Sequence, residues 1–183
     1  WGAGNPGTAR VLAAQSRFLD WRDCDAEAGQ AIDAAISIYA EKPPNDPDDV
    51  YSARIQRARW LISCHRLDEA STQLEAIVPH VAVLEPLTAF QYAQARALLR
   101  LQRDGDATAL AAMQDAEALA AKVFAPGDAR IALSRLPRAQ WLHDHGRGAE
   151  AAKIADTILA GAEGGLVPDS PLLTRIRALR EPR

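Results

Sequence analysis

Aromatic side chains make up only 5% of this 183-residue sequence, Met occurs once, and Cys occurs twice. With so few Tyr, Phe, Val and Thr the chain is a weak strand former, which excludes a β-sandwich, a barrel and a doubly wound sheet. Cys24 and Cys64 are too few for a disulfide framework and read either as two small thiols or as one bridge. No run of eighteen apolar residues occurs, so no direct membrane insertion is expected within this segment. A charged-then-apolar leader is also missing. The start at Trp1 and the Gly/Pro-rich stretch 1–7 read as a flexible lead-in to a fragment of something longer. A basic excess is lacking as well: 21 Lys and Arg stand against 24 Asp and Glu, a net charge of −3. Little is left to neutralise phosphates, so nucleic acid is not an expected partner.

What is abundant is alanine, about a fifth of the chain, and alanine is the strongest helix former. With 48% hydrophobic and 25% charged residues the composition is that of a folded domain. Turn residues cut the sequence into nine segments of helical length. Lys42-Pro43-Pro44-Asn45-Asp46-Pro47 is the plainest break, and Asp104-Gly105-Asp106, Pro126-Gly127-Asp128 and His145-Gly146-Arg147-Gly148 are others. Between them, Tyr51, Ile55, Ala58 and Ile62 advance by helical steps, and Ala129 to His143 reads as one continuous helix. Ser170-Pro171 opens a last short helix as N-cap and first-turn residue.

The segments repeat. Arg54-Ile55-Gln56-Arg57-Ala58-Arg59-Trp60-Leu61 matches Arg135-Leu136-Pro137-Arg138-Ala139-Gln140-Trp141-Leu142 at a spacing of 81 residues. The match continues through Arg66 with Arg147, Glu69 with Glu150, Ala70 with Ala151 and Ile77 with Ile158. A spacing of 81 is two helical hairpins, and intermediate steps of 39 and 42 anchor four copies at Ala28, Ala70, Ala109 and Ala151. Small residues on both helices of a hairpin allow close approach, because contact side chains set the interaxial distance. Ile55, Leu61, Leu74 and Ile77 are candidate core residues of one copy, and Leu136, Leu142, Ile154 and Ile158 of another.

Trp60-Leu61 with His65-Arg66-Leu67-Asp68-Glu69-Ala70, and Trp141-Leu142 with His145-Gly146-Arg147-Gly148-Ala149-Glu150-Ala151, resemble tetratricopeptide repeats. The likeness is to the long-linker form of kinesin-light-chain-like arrays and bacterial regulators. His65 and Asp104 stand where that family usually has a turn glycine, and Arg54 and Arg135 where it has a bulky apolar residue. The resemblance implies an all-α fold: a right-handed α-solenoid of about four hairpins (8–40, 48–80, 87–124 and 128–161, within 8–163) closed by a capping helix at 169–181. A longer-period helical repeat of the HEAT type is the structural rival.

The resemblance also implies a concave face lined by the first helix of each hairpin. By register that face carries Arg17 and Asp20, then Ser52 and Arg59, then Gln91 and Gln94, then Gln140 and His143. Apolar members of the same stripe are Ile55, Ile62, Leu98, Leu101, Leu133 and Leu136. Arg57 and Arg138 precede Trp60 and Trp141 by three, which suggests either a cation–π shelf or an Arg stem lying over its own Trp. His143-Asp144-His145 is not read as a metal site, since residues two apart on a helix diverge. No phosphate loop, nucleophile elbow or paired-carboxylate motif is legible, so neither an enzyme nor a cofactor is expected. The expected function is a non-catalytic module that binds a protein or peptide partner. The alternative is a sensor domain of a bacterial signalling protein, such as a transmembrane serine/threonine kinase or a transcription regulator. The compartment is then cytoplasmic or, for the transmembrane case, periplasmic. Leu172, Leu173, Ile176 and Leu179 form one stripe of the last helix, which either caps the final hairpin or pairs with a second copy in a homodimer.

Overall fold

A computed structural model describes residues 4–19, 25–162 and 170–181. Among them the chain is all-α: ten α-helices, one 3-10 helix and no strand. The helices are α1 (Pro6–Leu19), α2 (Ala26–Glu41), α3 (Asp48–Ser63), α4 (Leu67–Glu75), α5 (Pro86–Asp104), α6 (Ala107–Val123), α7 (Ala129–Leu133), α8 (Leu136–Asp144), α9 (Gly148–Ala162) and α10 (Pro171–Ala178). The 3-10 helix, Val78–Val83, links α4 to α5. The chain forms two compact units, Trp1–Arg103 and Asp104–Arg183. Their boundary falls at the last residue of α5, inside the span 87–124 read as one hairpin.

Local chemistry accounts for the differences from the sequence expectation. Helix α1 begins inside the expected lead-in because Asn5 caps it, its Oδ1 accepting the Gly7 N–H at 2.7 Å, with Pro6 needing no amide partner at the first turn. The expected helix Ala129–His143 is broken into α7 and α8. Pro137 is the cause: it has no N–H and its ring collides with a preceding carbonyl in a helix interior, so it sits at the opening turn of α8 instead. Asp25, Asp106, Asp128 and Ser170 each cap the next helix by accepting a first-turn amide.

In the first unit, α1 and α2 pack as a hairpin over Ala9, Ile32, Ala35 and Tyr39, together with Ala53 of α3. A second cluster joins α3, α4 and α5 through Ile55, Ala58, Leu61, Leu74, Ile77, Tyr92 and Ala95. In the second unit, α8, α9 and α10 enclose Ala139, Ala155, Ile158, Ile176 and Leu179, with Leu136 against them. These two clusters correspond position by position at the 81-residue spacing: Ala58 to Ala139, Ile77 to Ile158, Ile55 to Leu136 and Ala95 to Ile176. Helix α10 therefore occupies, against α8 and α9, the place that α5 takes against α3 and α4. Its Ile176 and Leu179 are buried there, within its own chain.

The turn between the paired helices repeats down to single hydrogen bonds. The Arg66 amide donates to the Leu61 carbonyl at 2.9 Å and the His65 amide to Ile62 at 3.0 Å. The equivalents are Arg147 to Leu142 at 2.8 Å and Gly146 to His143 at 3.3 Å. This is a Schellman ending, which requires a left-handed residue after the C-cap. His65 takes that conformation at φ 57° and Gly146 at φ 76°. Immediately afterwards Arg66 makes a two-pronged pair with Glu69, with both contacts at 2.6 Å, and Arg147 does the same with Glu150 at 2.7 Å.

A left-handed conformation costs an L-residue with a Cβ about 1–2 kcal/mol. His65→Gly is therefore expected to raise stability by about 1 kcal/mol, and Gly146→Val to lower it by about 2 kcal/mol, read as urea-midpoint shifts of opposite sign. Open space surrounds a Cβ at Gly146, so that loss would report backbone conformation and not a clash.

Hydrogen bonding to the charged form holds the Glu69 and Glu150 carboxyls below their usual 4.5, through Arg66 and Arg147 respectively. A depressed folded pKa contributes stability at pH values above the ordinary one, and that contribution is lost as pH falls through the folded value. In a carboxyl-resolved NMR titration, Arg66→Met is expected to return Glu69 upward to the ordinary range and leave Glu150 where it was.

Candidate functional site

In the first unit the expected stripe on α3 is part core and part surface. Ile55 and Ile62 are buried, one turn to either side of Arg59. Arg59 is half-buried, and its guanidinium reaches across to α5. There its Nη1 donates to Gln94 Oε1 at 3.4 Å, and Gln94 is buried. Ser52, two turns before Arg59, and Gln91, one turn before Gln94, are half-buried on the same two helices. Arg17 is exposed on α1. Asp20 lies outside the described residues.

The second unit holds Gln140 and His143. Gln140 donates its amide to both Asp144 carboxylate oxygens at 3.1 Å and accepts from Arg175 Nε at 3.2 Å. Gln140 and Arg175 stand 81 residues beyond Arg59 and Gln94. The same bridge between equivalent helices is thus made twice, with the guanidinium and the amide exchanged. His143 is buried, its Nδ1 is 3.6 Å from Asp144 Oδ1, and that nitrogen makes no hydrogen bond. The neighbouring His145 turns away, stacks on Trp141 with ring centroids 4.0 Å apart and bonds the Trp141 carbonyl at 2.8 Å. The His143-Asp144-His145 run therefore does not converge on one point.

Arg57 and Arg138 serve packing between successive hairpins. Arg57 Nε lies 2.8 Å from Asp33 of α2, an ion pair without a formed hydrogen bond. Arg138 makes two hydrogen bonds to Glu117 of α6, at 2.7 and 2.8 Å, and both side chains are largely buried. The guanidinium found over the Trp60 ring is that of Arg66, 5.5 Å from the centroid. Acidic partners so distant in sequence leave no periodic signal, which is why the Arg–Trp spacing alone offers only a shelf or a stem lying over its own Trp.

Sequence reasoning missed two further contacts. Trp60 Nε1 donates to the Asp25 carbonyl at 2.8 Å, and its ring lies over Gly29, where a Cβ would come within 2.3 Å of it. Trp141 is equally buried, but its Nε1 has no partner. Asp48, the first residue of α3, accepts from the Glu85 amide at 3.2 Å and from the Thr88 hydroxyl, tying the starts of α3 and α5 together. Asp48 directly follows the break that ends at Pro47, and nothing in the local order of residues names Glu85 or Thr88 as its partners.

No family model matches this chain, and no curated protein matches it. Among the described residues no helix is long and apolar enough to cross a membrane.

The exchanged bridge supplies its own test. Arg59→Gln alone is expected to cost about 0.5–1 kcal/mol, a typical net hydrogen-bond contribution. The added exchange Gln94→Arg recreates the arrangement at Gln140 and Arg175 and should recover most of that loss in a double-mutant cycle.

Proposed function

We propose that the chain is a non-catalytic binding module built on tetratricopeptide-like hairpins, arranged as a right-handed α-solenoid, which takes a peptide or protein partner on the face carrying Arg59. The observation that carries this reading is the 81-residue recurrence of turn, core and interhelical bridge in the α3–α4–α5 and α8–α9–α10 sets. Repeated hairpins of this kind bury one face against neighbours and leave another as a continuous surface. That face bears the half-buried Arg59, with Ser52 and Gln91, also half-buried, on the same two helices. Such an array suits a partner carboxylate or an extended backbone. A second reading, a sensor portion of a larger bacterial signalling protein, uses the same surface and is favoured by the cystine at Cys64.

Arg59→Glu is the discriminating substitution. Partner capture by the wild-type chain and by the control Lys153→Glu, which alters an exposed side chain on α9, should be equal. Capture by Arg59→Glu should fall at least about tenfold, the loss that one unfavourable charge contact brings. Equal capture by all three would place binding on another face.

A further inference from the structure

We infer that the disulfide at Cys64 is a covalent clamp which the first unit depends on, and that this chain therefore works in an oxidising compartment. Cys64, the C-cap of α3, is disulfide-bonded, and no described cysteine is free. The sequence holds one other cysteine, Cys24, which lies outside the described residues. It immediately precedes Asp25, the N-cap of α2.

Two contacts among the described residues, independent of the sulfur atoms, place the start of α2 against the last turn of α3. Trp60, four residues before Cys64, donates its indole N–H to the Asp25 carbonyl at 2.8 Å. One turn further along α2, Gly29 lies so close under the same indole that a Cβ would meet it at 2.3 Å. Joining residues 24 and 64 closes a loop of about 40 residues that contains all of α2 and all of α3. Cross-links over loops of that length remove much of the freedom of the unfolded chain.

The other repeat solves the same position differently. The residue equivalent to Cys64 is His145, which stacks on Trp141 and bonds its carbonyl. There a ring and a hydrogen bond finish the turn, whereas Cys64 on its own offers α3 neither. The bridge therefore does in the first unit what His145 does in the second.

Forming the bond removes two protons and two electrons from two thiols. The acceptor is a disulfide of the thiol–disulfide exchange class: a cysteine thiolate attacks it, a mixed disulfide forms, and the second cysteine displaces a thiol while the acceptor ends as a dithiol. Compartments that keep such acceptors oxidised are extracytoplasmic, and a reducing cytosol reverses the exchange.

The test uses the whole chain, produced once with export to an oxidising compartment and once in a reducing cytosol. The exported chain should be two hydrogens lighter than its sequence mass, resist alkylation, and run as a monomer on a non-reducing gel. Adding a phosphine reductant should lower its melting temperature by about 5–15 °C. Cys64→Ser and Cys24→Ser should each show the lowered value and no response to reductant. A variant that fails to fold supports the clamp as a lowered melt does, since the wild-type chain with and without reductant supplies the folded reference. Alkylation of both cysteines in the exported chain, disulfide-linked dimers, or a melting temperature unmoved by reductant would each overturn the inference. None of these readouts involves a partner, so a failed clamp and a failed binding surface are distinguishable.

Discussion

Everything in the hairpins turns on how closely two helices approach. Ala58 with Ala70, and Ala139 with Ala151, are fully buried on the facing helices of the two matching pairs. With only a methyl group at those places, the larger side chains on either side are left to fill the remaining space: Ile55, Leu61 and Leu74 in one set, Leu136, Leu142 and Ile158 in the other. The turn geometry follows from the same requirement. A short reversal between closely approaching helices needs a residue in the left-handed region, and His65 fills that place in one turn as Gly146 does in the other. The Arg66–Glu69 and Arg147–Glu150 pairs then fasten the start of each second helix.

The interhelical bridges show how much latitude a repeat has once that geometry is set. Arg59 with Gln94 and Gln140 with Arg175 exchange donor and acceptor and keep the same span. Trp60 finds a carbonyl for its indole N–H while the equivalent Trp141 finds a stacked imidazole and leaves its N–H unmet. What is preserved is the volume and position of the buried group; the polar partner differs with the neighbour that the local chain supplies. A binding surface drawn on such a frame gains its specificity from the same latitude, since the half-buried positions around Arg59 are free of the volume constraint that holds Ile55 and Ile62.

Legibility in the sequence followed this division. Helical periodicity, the anchoring alanines and the 81-residue recurrence were readable because each is a local pattern of small and large residues. The breaks at 42–47, 104–106 and 126–128 and the opening of α10 after Ser170 stand where the turn residues put them for that reason. The break at Pro137 was also written in the chain, as a proline inside a helical pattern, yet the match to Ile55-Gln56-Arg57 masked it. The ion pairs of Arg57 with Asp33 and Arg138 with Glu117 were not readable, because each partner sits on another helix about twenty residues away. The stripe expected to line one face proved divided, with Ile55, Ile62 and Leu101 in the core and Arg59 between core and surface. A register derived from a resemblance assigns positions to a helix face without saying how deep that face lies.

The amino-acid order alone determined that this chain is helical and that its helices come in recurring sets, since propensity and small-residue spacing act over a few turns of backbone. Only the tertiary structure decided which polar groups meet, that Gln94 answers Arg59, and that Cys64 is bridged. Those outcomes depend on where distant helices stop and turn, and the composition of any one helix carries no information about that.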